Sequence, residues 1–295
     1  TVVARWDPGT GELTQWATTQ NPHVHRTGIA GFFKLPEHKV RILATDVGGG
    51  FGAKAPVYPE DVVACSLSMR LERPVKWVET RRENFTSMTH GRDQITEIEL
   101  AADAEGRLLG LRGTTWGNAG AYLSGFGMGI PSVMHVPLLP GAYHLPALSY
   151  TVYGVYTNTN PVDAYRGAGR PEATFAIERM MDTLAAELGV DPAEIRRRNF
   201  IQPDEFPATT ITGMGYDSGD YDGALQKALD MAGYGALREE QARLRAEGRY
   251  LGIGVSSYIE CCGFGPSRIL KNSPSRGWML TAGMGGGGSW EAAHV

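Results

Sequence analysis

Hydrophobic and polar positions along this chain switch between a period of two and a helical period. Residues 1–6 and 12–17 alternate as short strands, with Asp7-Pro8-Gly9-Thr10-Gly11 between them as turn chemistry. Residues 18–22 break the alternation as a polar loop at a strand end. Residues 24–33 fit a short helix, and 40–47 a buried strand. Residues 58–70 read as a helix whose apolar stripe is Val62, Val63, Cys65, Ser66, Leu67 and Met69. A further strand is expected at 74–79.

The pattern is clearest from Gln94 to Trp116. Ile95, Ile98 and Leu100 lead through Asp103-Ala104-Glu105-Gly106-Arg107 to 108–115, two strands joined by a glycine-containing turn. Residues 117–131 are glycine-rich and irregular, with Tyr122 and Phe126 embedded. A strand follows at 148–157. Pro171 suits the first turn of a helix over 172–188, with Phe175, Ile177, Met180, Met181 and Leu184 on its apolar side and Gly189 as its stop. Asp191-Pro192-Ala193-Glu194 starts a second helix reaching Phe200. Helices are expected at 222–231 and 236–247, the latter charged and exposed, and a strand at 250–258 opens a second domain.

The fold class expected is α+β, with mixed sheets and packed helices. Residues 1–248 form a first domain and 249–295 begin a second. The strand at Thr1 and the strand-like alternation of 289–295 suggest a chain cut inside domains at both ends.

Composition narrows the function. The 295 residues are 42% hydrophobic and 20% charged, ordinary for a globular protein. A net charge of −4, with no basic run among aromatics, gives no footprint for nucleic acid. No apolar run approaches the ~20 residues that span a membrane, and no leader segment is recognisable. Three cysteines, Cys65, Cys261 and Cys262, make neither a disulfide framework nor a CxxC pair, so a reduced, cytoplasmic setting is expected. The 39 glycines are about twice the usual share. They cluster in several places, which suggests close-approach loops.

The densest cluster is Asp46-Val47-Gly48-Gly49-Gly50-Phe51-Gly52-Ala53-Lys54, straight after an apolar run. Glycines there let another body approach bare backbone N–H groups. A phosphate loop would need Gly-Lys-Ser/Thr, but Ala53 precedes Lys54 and Ala55 follows it. A dinucleotide fingerprint lacks its third glycine. Arg166, between Tyr165 and Gly167 before a helix, suits anion contacts, but on these residues alone a surface pair with Asp163 or Glu172 is the favoured reading. Gln20 alone says nothing. The histidines show no metal spacing, His23-x-His25 reads as loop polarity, and Glu60 and Asp61 as first-turn carboxylates.

Four stretches taken together are more specific. Thr19-Gln20-Asn21-Pro22-His23, the 46–54 loop, Ala164-Tyr165-Arg166-Gly167-Ala168-Gly169-Arg170-Pro171-Glu172 and Glu194-Ile195-Arg196-Arg197-Arg198-Asn199-Phe200 resemble the molybdenum hydroxylases. This is the xanthine oxidase, aldehyde oxidase and aerobic carbon monoxide dehydrogenase family. The match is to the molybdopterin-binding large subunit, nearest the carbon-monoxide-dehydrogenase-like branch. The resemblance implies an elongated cofactor-binding domain. Gln20 matches the glutamine whose amide reaches an oxo ligand of molybdenum. Phe51, flanked by Gly50 and Gly52, matches the aromatic whose backbone contacts the metal centre. Neither Gln20 nor Phe51 is a direct metal ligand. Arg166 matches a cofactor-contacting arginine. The cofactor implied is molybdopterin, in its cytosine dinucleotide form, with molybdenum. An iron–sulfur small subunit carrying [2Fe–2S] and a medium subunit carrying FAD are the implied partners.

Departures from the family pattern bear on substrate. Gly167 stands where the carbon-monoxide-oxidising members carry a copper-binding cysteine. Ala55 replaces a glutamate of purine-oxidising members, Met134 approximates their substrate arginine, and Ala168 falls at a ring-sandwiching aromatic. Ala55, Met134 and Ala168 suggest a roomier, more apolar pocket, for an aldehyde or a non-purine aromatic N-heterocycle hydroxylated with water-derived oxygen. The family's base glutamate and Gln-Gly-His loop are not found, and Glu260 and Glu291 lack matching context. No catalytic residue is therefore expected within this chain: the base lies beyond Val295, and the chain alone should not turn over. The alternative is a non-catalytic, glycine-rich scaffold or protein-binding piece.

Overall fold

Alternation puts Val2 and Ala4 of β1 (Val2–Asp7) on the buried face of a sheet with Leu13, Gln15 and Ala17 of β2 (Glu12–Ala17). The two strands pair antiparallel, Ala4 opposite Gln15. In the computed structural model, which describes residues 1–260, β3 (Val40–Leu43) adds parallel to β2 and β4 (Val75–Trp77) antiparallel to β1. The order is β3-β2-β1-β4. Two helices, α1 (Pro22–Phe33) and α2 (Pro59–Leu71), contribute Ile29, Ala30, Ala64 and Cys65 to the core with Val2, Ala4, Leu13 and Val40. A short helix, α3 (Arg81–Ser87), starts at Thr80, whose hydroxyl accepts from the Glu83 N–H while the Glu83 carboxylate accepts from the Thr80 N–H.

These elements belong to one of two compact units, made of Thr1–Asp93, Gly117–Ile130 and Gly154–Ala168. The other unit takes Gln94–Trp116, Pro131–Tyr153 and the chain from Gly169 onward. Its sheet has the order β5-β6-β7, from β5 (Gln94–Ala102), β6 (Leu108–Gly120) and β7 (Leu148–Tyr156), the ends of β6 and β7 being counted with the first unit. Then come α4 (Arg170–Leu188), α5 (Pro192–Arg197), a two-residue ladder of β8 (Ala208–Thr209) and β9 (Gly215–Tyr216), α6 (Tyr221–Ala232) and α7 (Tyr234–Ala246). Leu108, Leu111, Tyr143, Ile177, Met181, Ile195 and Phe200 form the core. The architecture is α+β, as the periodicity predicts, and the glycine at 189 ends α4 in the left-handed conformation, φ 64°.

Several expectations change. The strand expected over 40–47 stops at Leu43 and lies at the sheet edge, half-buried, because the glycine loop takes over. The stripe assigned to α2 is misaligned. Val63 and Leu67 are exposed, while Ala64, Cys65 and Ser68 face inward. Ser68 is inside because its hydroxyl accepts from the Trp6 N–H and donates to the Arg73 carbonyl. On α4 Phe175 is 70% exposed, whereas Glu172 and Glu178 are buried. The helix expected to reach Phe200 ends at Arg197. The irregular stretch from 117 begins as the end of β6.

No strand forms over 250–258. Main-chain groups there go to side chains instead of a ladder. The Val255 carbonyl accepts from Arg196, the Ser257 N–H donates to Glu178, and the Leu251 carbonyl accepts from Gln241. Cys261, Cys262, the glycines at 283–288, Glu291 and the alternation of 289–295 lie outside the described residues.

Several buried polar side chains pair across elements in both units, while His25 Nδ1 and His135 Nδ1 have no hydrogen-bond partner among the described residues. Gln15 sits in the first core and bridges two helices: its amide donates to Asp61 and its oxygen faces His25 Nε2 at 3.1 Å. His25 is therefore a helix residue in the core, not loop polarity, and burial holds its imidazole below the usual range against the pull of Asp61. Asp61 is more than a first-turn carboxylate, since it also accepts from the Tyr58 N–H. In the second unit Arg196 is fully buried and donates to Glu178 and Asp182. Tyr143 donates to the same Glu178.

His135 is fully buried beside the Tyr150 hydroxyl, which in turn meets Thr115. Burial pushes the imidazole down to about 4 from an ordinary 6.5. It is neutral in the fold, and the unfolded chain takes up the proton first as pH falls. Stability is thus lost between pH 6.5 and 4, by about 2–3 kcal/mol for this group. Urea unfolding at pH 7 and pH 4.5 should show His135→Gln losing less stability on acidification than the wild type by about that amount.

Candidate functional site

The loop between β3 and α2 bends back on itself through Asp46, Gly49, Phe51 and Gly52, all at positive φ. Phe51 at φ 57° is the costly member, since a side chain in this region is strained by about 1–2 kcal/mol. Several pins hold it. Gly52 N–H donates to Gln20 Oε1 at 2.9 Å. Both Gln20 N–H and the Thr19 hydroxyl donate to the Lys54 carbonyl. Lys54 N–H and Ala55 N–H close turns onto the Gly50 and Gly52 carbonyls. The Tyr58 hydroxyl donates to the Ala53 carbonyl at 2.6 Å and meets Thr89 at 3.1 Å. Burial raises the Tyr58 hydroxyl above its usual range, so it stays a donor.

Two glycines are required by space. A Cβ on Gly50 would lie 2.5 Å from Gln20, and one on Gly52 would lie 2.4 Å from the Ala164 carbonyl oxygen. The second contact brings the Ala164–Arg166 segment against the loop. The Phe51 ring, 48% exposed, lies over Gly49 and has the Arg166 guanidinium 6.0 Å from its centroid. Gln20, Gly50, Phe51, Gly52 and Arg166, separated by up to 146 positions in sequence, are thus one constellation in the first unit.

Its chemistry is that of a donor surface. Gln20 spends its carbonyl on Gly52, which leaves its amide nitrogen as a donor without a protein partner among the described residues. The N–H groups of Gly49, Gly50 and Phe51 likewise have no protein acceptor among them. The Arg166 guanidinium is exposed and carries no ion pair there. The surface pair considered for it does not form. Asp163 accepts from the Phe126 and Ala164 N–H groups, and Glu172 accepts from the Gly169 N–H. Uncommitted donors converging with a cation fit an electron-rich, anionic group.

The three pocket positions are not gathered in the same way. Ala55 is buried under the loop, Ala168 is half-buried at φ 41° two residues after Arg166, and Met134 belongs to the second unit. Among the described residues no cluster of three or more His, Cys, Asp or Glu could hold a metal by protein ligands alone. Sequence reasoning missed Tyr58 and the Thr19 hydroxyl as loop supports, and Arg92 as a support of the Tyr165–Arg166 segment. A tyrosine before a helix-starting proline carries no distinguishing signal, although Gly91 beside Arg92 is itself a mark of close approach.

Residues 1–200 match the family described as molybdopterin cofactor-binding domain. The chain belongs to that family. It is 44% identical over 277 residues to the carbon monoxide dehydrogenase large chain of Hydrogenophaga pseudoflava, covering 90% of this chain and 34% of that protein. It is 38% identical over 253 residues to the nicotine 6-hydroxylase large subunit of Paenarthrobacter nicotinovorans, covering 85% of this chain and 31% of that one. Quinoline 2-oxidoreductase from Pseudomonas putida 86 superposes with a TM-score of 0.85 at 39% identity, over 91% of this chain and 34% of that chain. The chain therefore spans about a third of the length of the relatives it matches. No helix among the described residues is long and apolar enough to cross a membrane.

The glycine pins can be ranked by substitution. Gly52→Ala meets backbone at 2.4 Å and a φ of 85°, and should cost about 2–4 kcal/mol. Gly48→Ala meets nothing within 4 Å and should change stability by less than about 0.5 kcal/mol. Denaturant unfolding of the two variants checks the order.

Proposed function

We propose that the chain is part of a molybdenum-cofactor-binding large subunit, in an oxidoreductase that hydroxylates an aldehyde or an aromatic N-heterocycle. The observation that carries this is the pinned loop, where Gln20 Nε2, backbone N–H groups and Arg166 are left as converging donors. The residues fit the cofactor: they offer donors and a positive charge, and no carboxylate or thiolate, to an anionic group that brings its own sulfur and oxygen ligands. When bound, that cofactor supplies the two-electron redox chemistry.

The chain's own residues bind and orient. Gln20 presents its amide N–H to an electron-rich oxygen, held in that sense because its carbonyl is fixed on Gly52. Phe51 serves through its backbone, and Arg166 supplies charge. The ring of Phe51, beside Arg166, covers one side of the loop. No general base is assigned among these residues. It is expected from the part of the subunit following Val295.

Substrate class follows from four replaced side chains. Without a thiolate at Gly167, copper has no ligand there, which speaks against carbon monoxide. Without polar anchors at Ala55, Met134 and Ala168, a purine would leave its ring nitrogens unpaired, and discrimination by hydrogen bonding is lost. An aldehyde or a less polar heteroaromatic ring does not need those anchors. Iron–sulfur and FAD partner subunits accept the electrons, the cofactor carries the cytosine dinucleotide, and the complex works in the cytoplasm. Residues 1–248 form the first cofactor-binding domain, and 249 opens the second.

The full-length protein, produced with its neighbouring subunits in cells that make molybdenum cofactor, tests this. It should contain molybdenum and pterin in equal amounts. It should oxidise aldehydes or N-heterocycles at least 10-fold faster, as kcat/KM, than xanthine or carbon monoxide. Metal-free protein, or xanthine or carbon monoxide as the best substrate, contradicts the reading.

A further inference from the structure

Residues 90–92 run beside 161–166 and tie that segment down at several points. His90 N–H donates to the Pro161 carbonyl at 3.0 Å, and Asp163 N–H donates to the His90 carbonyl at 2.7 Å. Gly91 lies so close that a Cβ there would fall 2.5 Å from Tyr165 Cβ. Arg92, at φ 67°, then turns its side chain back across the segment. One guanidinium nitrogen donates to the Tyr165 carbonyl at 3.3 Å, the other to the Arg166 carbonyl, and the guanidinium sits 5.1 Å from the Tyr165 ring centroid. A backbone twist unfavourable for a side chain is kept where it brings this fork into place.

We propose that Arg92 is a positioning residue for the cofactor site: it turns the carbonyls of Tyr165 and Arg166 away from the donor surface and so presents the Arg166 main-chain N–H and guanidinium to the anionic group. This rests on the reading that the Gln20–Phe51–Arg166 surface binds the cofactor. The geometry follows from peptide planarity. In a trans peptide the C=O and the next N–H point in opposite directions. The Tyr165 carbonyl accepts from both the Ala168 N–H, at 2.7 Å, and Arg92, so the Arg166 N–H faces the other way, and no protein acceptor takes it among the described residues. A carbonyl swung toward the ligand would set a negative dipole end against a negative group. Arg92 prevents that at the Arg166 carbonyl and, together with the Ala168 N–H, at the Tyr165 carbonyl. Lysine cannot reproduce it, because a point ammonium lacks the planar fork that spans two acceptors and stacks on a ring.

The test compares wild type, Arg92→Ala, Arg92→Lys, Arg166→Ala and the double variant Arg92→Ala/Arg166→Ala as full-length protein from cofactor-producing cells. The readouts are molybdenum and pterin per chain, the line shape of the Mo(V) electron paramagnetic resonance signal, and the thermal unfolding of each variant. Outer-shell partners of metal sites are typically worth 10–100-fold in affinity. Arg92→Ala and Arg92→Lys should each lower occupancy about 10-fold or alter the Mo(V) signal, and the double variant should be no worse than Arg166→Ala, since Arg92 acts through Arg166. Wild-type occupancy and an unaltered signal in either Arg92 variant overturn the proposal, as does an additive double variant. So does an occupancy loss that merely follows lowered thermal stability and is restored by Arg92→Lys. Wild type without molybdenum would instead sink the cofactor reading itself.

Discussion

One hydrogen bond organises the first unit: Gly52 N–H to Gln20 Oε1. It joins the end of β2 to the loop after β3, and it decides which way the Gln20 amide faces. An amide has one acceptor and one donor end. Once the acceptor is committed to the loop, the donor is what remains for anything outside. Gly50 is a glycine for the same reason, because a Cβ there would meet Gln20, and Gly52 is one because the Ala164 carbonyl lies against it. The strain at Phe51 is a consequence, held by the hydrogen bonds on either side of it.

The rest of that unit is arranged so that the bond cannot slip. The C-terminal end of the loop is anchored to two rigid elements. The Lys54 carbonyl is held by Thr19 and Gln20 at the end of β2, and the Ala53 carbonyl is held by Tyr58 at the start of α2. Asp61 caps that helix and reaches Gln15 on β2, which also holds His25 on α1. A polar chain inside an apolar core costs desolvation unless each group is paired. Here it ties two helices to the strand from which Gln20 extends. The site is thus built on a strand end and a helix start, where positions are better defined than in a free loop.

Much of the fold was legible because its elements are locally consistent. β1, β2, β7, α6 and α7 follow their periodicity, and Gly189 and Asp191 punctuate α4 and α5 as their residue types require. What was not legible is burial decided by a partner. Ser68 on α2 and Glu178 on α4 turn inward because Trp6 N–H and Arg196 are there to receive them, and Phe175 turns outward. The stretch at 250–258 has a strand pattern, yet its main chain is claimed by Arg196, Glu178 and Gln241. For the site, the motifs named Gln20, the glycines, Phe51 and Arg166, but nothing in the local sequence shows that Tyr58 grips the Ala53 carbonyl or that Arg92 grips the distant carbonyls of Tyr165 and Arg166. Long-range hydrogen bonds to backbone leave no periodic trace.

The most direct measurement is a high-resolution cryo-electron-microscopy map of the full-length protein purified from cofactor-producing cells. If the loop is a cofactor cradle, molybdenum density lies beside Gln20 Nε2 and the backbone N–H groups flanking Phe51, with Arg166 turned toward the bound group. An occupied metal site elsewhere, or a loop whose N–H groups and Gln20 amide are taken up by protein acceptors, would contradict it.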